Sequence, residues 1–309
     1  MPDFRGYPGL CGIVRGCPGG TAVRLGTEPC TNSVQLAERI RGADTVLQFF
    51  AAPPLDTGAL LAERPRRVVV AGPLGAAADP AALGRAGIEV YDTPGLAADS
   101  VAEFTLTLLL MLSRRVPAAV GAALDWRPSA GRETAGKLLG LVGWGRIGSR
   151  VAALARGIGM RVAAWSPHLD EEAAHAAGVR AMPLDALLAE ADVVSLHLRA
   201  VPGTAPVLDA RRLALLGPHT LLINTARAAL IDMGELRRRL AADLLGGVAL
   251  DVLDAEPLPA ADPLRHHPRA LVTPHMAWMT DEAVTRFVSD ALAFATAPKT
   301  AAGLVRRIA

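Results

Sequence analysis

Leu138-Leu139-Gly140-Leu141-Val142-Gly143-Trp144-Gly145-Arg146-Ile147-Gly148 decides the fold. Its apolar opening reads as a strand buried on both faces, and a helical pattern from Arg146 to Ile158 follows at once. Three glycines at G-x-G-x-x-G spacing occupy the junction. Gly143 permits the tight turn, Gly145 lets the backbone approach a pyrophosphate, and Gly148 lets the helix pack closely on the strand. N–H groups of Arg146 and Ile147 at the helix start are then available to phosphate oxygens. The spacing alone is a weak signal. Between a strand and a helix it predicts a dinucleotide-binding turn.

An acidic residue about 20 positions further on would hold an NAD ribose. Here the next strand, Met160–Trp165, runs into Ser166-Pro167-His168. Serine can hydrogen-bond a ribose hydroxyl but does not repel a 2′-phosphate. No arginine follows at once to attract that phosphate, and Asp170 and Glu171 discourage it. NAD and NADP both stay open, with the balance toward NAD.

Outward from this junction, short apolar runs alternate with helical patterns, which predicts an α/β protein with parallel strands. Strands are expected at Thr45–Phe49, Arg67–Ala71, Glu89–Val90, Leu138–Val142, Arg161–Trp165, Val193–His197, Leu221–Asn224, Val248–Val252 and Ala270–Thr273. Helices are expected at Ser33–Arg41, Pro80–Ala86, Arg146–Ile158, Pro183–Ala189, Met233–Leu240 and Asp281–Ala295. Asp99-Ser100 reads as the N-cap of one more helix, apolar on nearly every side from Val101 to Leu112, which must be buried. At roughly 150 residues per domain, 309 residues suggest two domains, with a boundary near residue 97. The helical, Arg-rich tail after about residue 285 can pack back on the first of them.

Composition narrows the partners. Lys+Arg 32 against Asp+Glu 30 leaves +2, so nothing electrostatic favours nucleic acid or an anionic membrane. Apart from Lys137 and Lys299 every basic side chain is arginine, so a lone arginine signals little without a motif around it. Cys11, Cys17 and Cys30 show neither CxxC spacing nor a neighbouring histidine, which argues against a disulfide framework or a metal site and for reduced, cytoplasmic thiols. No secretory leader is expected. Phe104–Leu112 is about half the ~20 residues that a membrane span needs.

Three segments sit at predicted strand ends on the far side of the glycine loop: Asn224-Thr225-Ala226-Arg227, Asp251-Val252-Leu253-Asp254-Ala255-Glu256-Pro257 and Thr273-Pro274-His275-Met276-Ala277. Ligands of doubly wound sheets bind outside the carboxyl ends of strands, so all three are expected to face the nicotinamide. With Ser100-Val101-Ala102-Glu103, the glycine loop and Val194-Ser195-Leu196-His197, their order and spacing resemble the D-isomer-specific 2-hydroxyacid dehydrogenase family. The likeness is strongest from Ser100 to Thr280 and loose in the first sixty residues.

The resemblance implies a Rossmann-type doubly wound NAD(P)-binding domain (98–284) and a smaller flavodoxin-like α/β substrate domain (1–97 and 285–309). It implies interconversion of a small 2-oxo acid and its D-2-hydroxy acid by hydride transfer, in a homodimer joined through the helix near Val101. His275 would be the general acid/base, because imidazole titrates near working pH. Glu256 would fix its tautomer and favour its protonated form, and Arg227 would grip the carboxylate and polarise the carbonyl. Thr225, Ala226 and His197 would line the cofactor, and Asp251 matches the position that meets the nicotinamide carboxamide. In the first domain the carboxylate-binding loop maps to Ala71-Gly72-Pro73-Leu74-Gly75, where Pro73 has no N–H and the grip would fall to Leu74 and Gly75. Phe49 and Phe50 could wall the pocket.

The chain also departs from the family. Ala228 follows Arg227 where glycine is usual, and would strain the turn if that position needs φ > 0. Trp278 is unusual and would place a large aromatic wall near His275. No regulatory domain is expected. Two other readings remain open: a nucleotide-sensing, co-repressor-like binding protein, and a phosphite or other specialised-acid dehydrogenase on the same fold.

Overall fold

Apolar runs bounded by aspartate caps set the element pattern. The computed structural model describes residues 10–16, 23–24, 26, 30, 32–49, 55–72, 74, 78–121, 130–200, 203–296 and 306–308. They divide into two compact units, Met1–Ala97 with Thr280–Ala309, and Ala98–Met279.

The first unit runs α1 (Leu10–Gly16), α2 (Ser33–Ile40), β1 (Thr45–Phe49), α3 (Thr57–Glu63), β2 (Arg67–Ala71), α4 (Pro80–Arg85) and β3 (Glu89–Asp92). The second contains α5 (Ala98–Ser113), α6 (Val116–Gly121), β4 (Leu138–Val142), α7 (Arg146–Gly157), β5 (Arg161–Trp165), α8 (Glu171–Ala176), β6 (Arg180–Ala181) and α9 (Leu184–Glu190). It continues through β7 (Val193–Leu196), α10 (Ala210–Leu213), β8 (Leu221–Asn224), α11 (Met233–Ala241), β9 (Gly247–Leu250) and β10 (Ala270–Val272). The chain then returns to the first unit as α12 (Asp281–Thr296) and β11 (Arg306–Arg307).

Asp56, Asp79, Asp170, Asp209 and Asp232 each accept a hydrogen bond from the N–H three residues on, satisfying helix-start donors that have no intrahelical partner. The cap expected at Asp99-Ser100 lies differently. The helix already begins at Ala98, so Asp99 is in its first turn and pairs with Arg150 of α7 at 2.7 Å. The helix is also less enclosed than its sequence suggests: Leu110 is 37% exposed. The short elements α3, α6, α8, α10, β6 and β11 were not foreseen, because runs of two to seven residues carry little periodicity.

In the first unit the described strands run in sequence order β1-β2-β3, all parallel, and β11 closes the β3 edge antiparallel. Leu36, Ile40, Val46, Leu60, Val68, Val70, Leu83 and Val90 form one core, and α12 packs on β1 and β2. Cys30 is a free thiol beside that core.

The second unit is a seven-stranded parallel sheet in the order β10-β9-β8-β7-β4-β5-β6. Successive side chains point to opposite faces, and both faces are covered. Leu138, Val142, Val194, Leu196, Leu222 and Leu250 join one core with Leu187 of α9 and Leu236 of α11. Leu139, Leu141, Val193, Ile223 and Ala249 join the other, with Leu108 of α5 and Val151 of α7. Strand order reverses between β4 and β7, and crevices for ligands form at such switch points. No helix among the described residues is long and apolar enough to cross a membrane.

Phe287, 2% exposed, is among the largest side chains enclosed in α12. Phe287→Ala is expected to cost about 3–5 kcal/mol in urea denaturation. A cost below about 1 kcal/mol would mean that this helix is not integral to the first unit.

Candidate functional site

The register of the seven-stranded sheet aligns the strand ends. Val142 pairs with Trp165 and with Leu196, Leu196 with Asn224, Asn224 with Leu250, and Leu250 with Val272. The residues that follow therefore form one row along the carboxyl edge: Ser166, Gly143, His197, Thr225, Asp251 and Thr273. Five of these were singled out from sequence as cofactor-binding.

The glycines of the loop are required for different reasons. Gly143 has φ +118, and a Cβ there would lie 2.5 Å from the carbonyl carbon of His197. A Cβ on Gly148 would lie 2.3 Å from the Gly143 carbonyl oxygen. A Cβ on Gly145, the N-cap of α7, would enter open space. The protein's own backbone thus excludes side chains at two positions, while the third leaves a cradle at the helix start, next to Arg146 and Ile147, that suits a phosphate. These residues fit a dinucleotide. His197 is a strut of the turn: it is half-buried, with Nε2 2.9 Å from the Ser195 hydroxyl, and burial pulls its imidazole down to about 4.

At the end of β8, buried Asn224 builds the turn that carries Arg227. Its Oδ1 accepts from Ala226 N–H and its Nδ2 donates to the Arg227 carbonyl, both at 2.9 Å. Thr105 of α5 donates to the Val101 carbonyl, so the 2.9 Å contact between Thr105 and Thr225 has the Thr225 hydroxyl as donor. Ala228 opens a 3-10 turn, and positive φ among described non-glycine residues is confined to Arg64, Arg115, Asp243 and His275. The strain considered for Ala228 is therefore absent. Arg227 is solvent-exposed, yet enough protein surrounds its guanidinium for desolvation to lower its proton affinity, opposed by the charge of Glu256. It remains a cation at any working pH.

Asp251 is held by its own loop. Its buried carboxylate accepts from Thr273 Oγ1 at 2.6 Å and Met276 N–H at 2.9 Å through Oδ1, and from Ala277 N–H at 2.8 Å through Oδ2. Three donors of its own chain engage it, so it organises the loop that carries His275. His275 takes the left-handed conformation at φ 54, with its N–H bonded to the Thr273 carbonyl and its own carbonyl bonded by Trp278 Nε1 at 3.1 Å. Trp278 is buried and fixes this turn, a role its sequence position did not disclose. Glu256 Oε2 lies 2.9 Å from His275 Nδ1, and Oε1 accepts from Leu253 N–H at 2.9 Å. The geometry brings Arg227, Glu256 and His275 together, with His275 Nε2 on the ring edge away from the carboxylate.

Other expected residues fare differently. Leu74 donates its N–H to Asp92 at 3.1 Å, so that donor is engaged within the first unit and not offered to a substrate, contrary to expectation. Gly75, Phe50 and the Phe49 side chain lie outside the described residues. Ser166 follows β5 with no carboxylate in its place, and Asp170 caps α8. A cavity of about 310 Å³ opens at the opposite, amino ends of the strands, lined by Arg132, Lys137, Asp192 and His219 among others. None of the residues singled out for chemistry lines it.

Residues 106–277, more than half of the chain, match the family described as D-isomer specific 2-hydroxyacid dehydrogenase, NAD binding domain. A glyoxylate reductase of Korarchaeum cryptofilum is 31% identical over 81% of this chain and 78% of that protein. A D-3-phosphoglycerate dehydrogenase of Synechocystis sp. is 35% identical over 69% of this chain but only 39% of that protein, so the chain spans about two fifths of that relative's length. Among solved structures, the TT0316 protein from Thermus thermophilus has TM-score 0.79 at 32% identity, covering 88% of each chain. A D-lactate dehydrogenase from Treponema pallidum has TM-score 0.83 over 98% of each chain at 22% identity, a likeness of fold.

Because the fold keeps His197 neutral, the unfolded chain takes up a proton between about pH 6.5 and 4 that the folded chain refuses. Stability is therefore complete above that window and falls as pH drops through it. Urea denaturation at pH 7 and pH 5 should show a loss of roughly 2 kcal/mol attributable to this group, absent in His197→Gln. Equal losses in both proteins would refute it.

Proposed function

The chain belongs to the D-isomer specific 2-hydroxyacid dehydrogenase family, and from that premise we propose that it reduces a small 2-oxo acid to the D-2-hydroxy acid with a nicotinamide cofactor. The observation that carries this reading is the 2.9 Å bond between Glu256 and His275 Nδ1, beside Arg227, on the sheet edge that bears the glycine loop. The bound dinucleotide would supply the hydride. Gly143, Gly145 and Gly148 shape its phosphate cradle, and Thr225, His197 and Ser166 border it.

Reduction of a carbonyl also needs a proton at oxygen and an anchor for the carboxylate. Glu256 holds the proton of His275 Nδ1 and stabilises the imidazolium, which leaves Nε2 to deliver a proton to the developing alkoxide. Arg227 presents a planar fork that matches a carboxylate and also stabilises negative charge on the adjacent oxygen. The same reading makes the second unit cofactor-binding and the first substrate-binding, in a cytoplasmic homodimer. Phe104, Leu106 and Leu110 on α5, half-buried or exposed, support the dimer.

Following NADH or NADPH absorbance across a panel of 2-oxo acids tests this reading. Turnover is expected, and His275→Ala should lower kcat by about 10²–10⁴-fold. Undiminished turnover in that variant would sink the assignment, and tight nucleotide binding without turnover of any acid would favour a nucleotide-sensing role. The uncharged end of β5 admits either cofactor, with NAD favoured. Ser166→Asp should raise the ratio of kcat/KM with NADH to that with NADPH by about tenfold or more. An unchanged ratio would mean that Ser166 does not meet the ribose.

A further inference from the structure

Glu256 lies on an exposed arch, yet its carboxylate must stay within hydrogen-bond reach of His275. An exposed carboxylate–imidazole pair is too weak to hold a loop in place by itself. The arch is held from α11 instead. Arg237 Nη1 and Nη2 bond the two carboxylate oxygens of Asp254 at 2.9 and 2.8 Å. Its Nε and Nη2 bond Oδ2 of Asp262 at 3.2 and 2.8 Å, and Nη1 reaches the Met233 carbonyl at 3.3 Å. All three guanidinium nitrogens are engaged, with the Arg237 side chain 22% exposed and that of Asp262 11%.

The two anchor points bracket Glu256. Asp254 lies two residues before it, and buried Leu258 lies two after, its carbonyl accepting from Arg265 Nη2 at 2.6 Å. Hydrogen bonding to Asp254, ahead of the opposing effect of burial, raises the proton affinity of Arg237, and the same bond holds the Asp254 carboxyl below the usual range. A planar fork can span two carboxylates in this way, whereas an ammonium is a point charge and cannot. The charged groups around His275 are Glu256, Arg227 beyond it, and Asp251, whose oxygens are taken by Thr273, Met276 and Ala277.

We propose that Arg237 is a positioning residue for the acid/base: by bridging Asp254 and Asp262 it fixes the arch from which Glu256 reaches His275 Nδ1. This rests on the reading of His275 as the proton donor. In its absence the arch relaxes, Glu256 leaves the imidazole, and the protonated form of His275 loses its partner, while the glycine loop on the other side of the sheet edge is untouched.

The test compares the full-length wild type with Arg237→Met, Arg237→Lys and Asp254→Asn. Each is assayed for kcat and KM, NADH affinity by fluorescence, melting temperature, and the NMR signal of the His275 Nδ1–H without substrate, which reports its bond to Glu256. For Arg237→Met and Asp254→Asn, kcat should fall about tenfold or more, as expected for a misplaced catalytic partner. NADH affinity should stay within about twofold, and the His275 Nδ1–H signal should lose the downfield position of a proton bonded to a carboxylate. Arg237→Lys should recover only part of the loss. Folded variants with wild-type kcat and an unchanged His275 Nδ1–H signal overturn the proposal, whatever their melting temperatures. If Arg237→Met does not fold, Asp254→Asn decides alone, since it leaves the Arg237–Asp262 pair in place. A wild type that turns over no acid would refute the proposed function, and the Nδ1–H signal would still uphold or overturn the role of Arg237.

Discussion

Three pieces of backbone meet at the head of β4 with no room for a side chain between them. The turn at Gly143 lies against the carbonyl of His197, and the first turn of α7 lies against the carbonyl of Gly143 through Gly148. This contact fixes how closely the helix starts behind the strand and how far β7 is drawn alongside it. The aligned row of strand-end residues follows from it, because parallel strands held in one register must finish at one level. Half-buried His197 is part of the same joint, so the phosphate cradle and the core beneath it are one mechanical object.

On the far side of the sheet edge, carboxylates build the site. Asp251 gathers three donors to shape the turn at His275, Trp278 closes that turn from outside, and Glu256 completes it by bonding the ring. A left-handed residue with a bulky side chain costs of order 1–3 kcal/mol unless its surroundings over-determine it. Here the flanking N–H and C=O groups of His275 are both engaged, so the cost is offset locally and the imidazole is held in one direction.

Much of this was legible in the sequence because both faces of the parallel sheet are buried, which writes the strands as continuous apolar runs. Leu138–Val142, Arg161–Trp165 and Leu221–Asn224 were read to the residue, and α2, α7, α11 and α12 to within one, whereas α5 starts three residues before the expected Val101. Arg227, Glu256 and His275, far apart in sequence, were legible as a group only through the resemblance of three strand-end segments, in their order and spacing, to the 2-hydroxyacid dehydrogenase family. What stayed hidden involves partners chosen in space. The engagement of Asp251 with its own loop, of the Leu74 N–H with Asp92, and of Trp278 with the His275 carbonyl depends on side-chain direction, which no spacing rule reports. Arginine abundance also masked Arg237, which no motif separates from its neighbours Arg238 and Arg239.

The three glycines of the loop answer to different masters, and this sets an order for how such a protein could drift. Gly143 and Gly148 are enforced by the chain itself, so a lineage that stopped binding a dinucleotide would still retain them to remain folded. Gly145 faces open space, so nothing in the chain itself excludes a side chain there and only a bound ligand would. Relaxed selection would therefore register there first, as ordinary side chains at position 145 inside an otherwise intact motif. Within this fold that single position records ancestry of use, while its two companions record ancestry of shape.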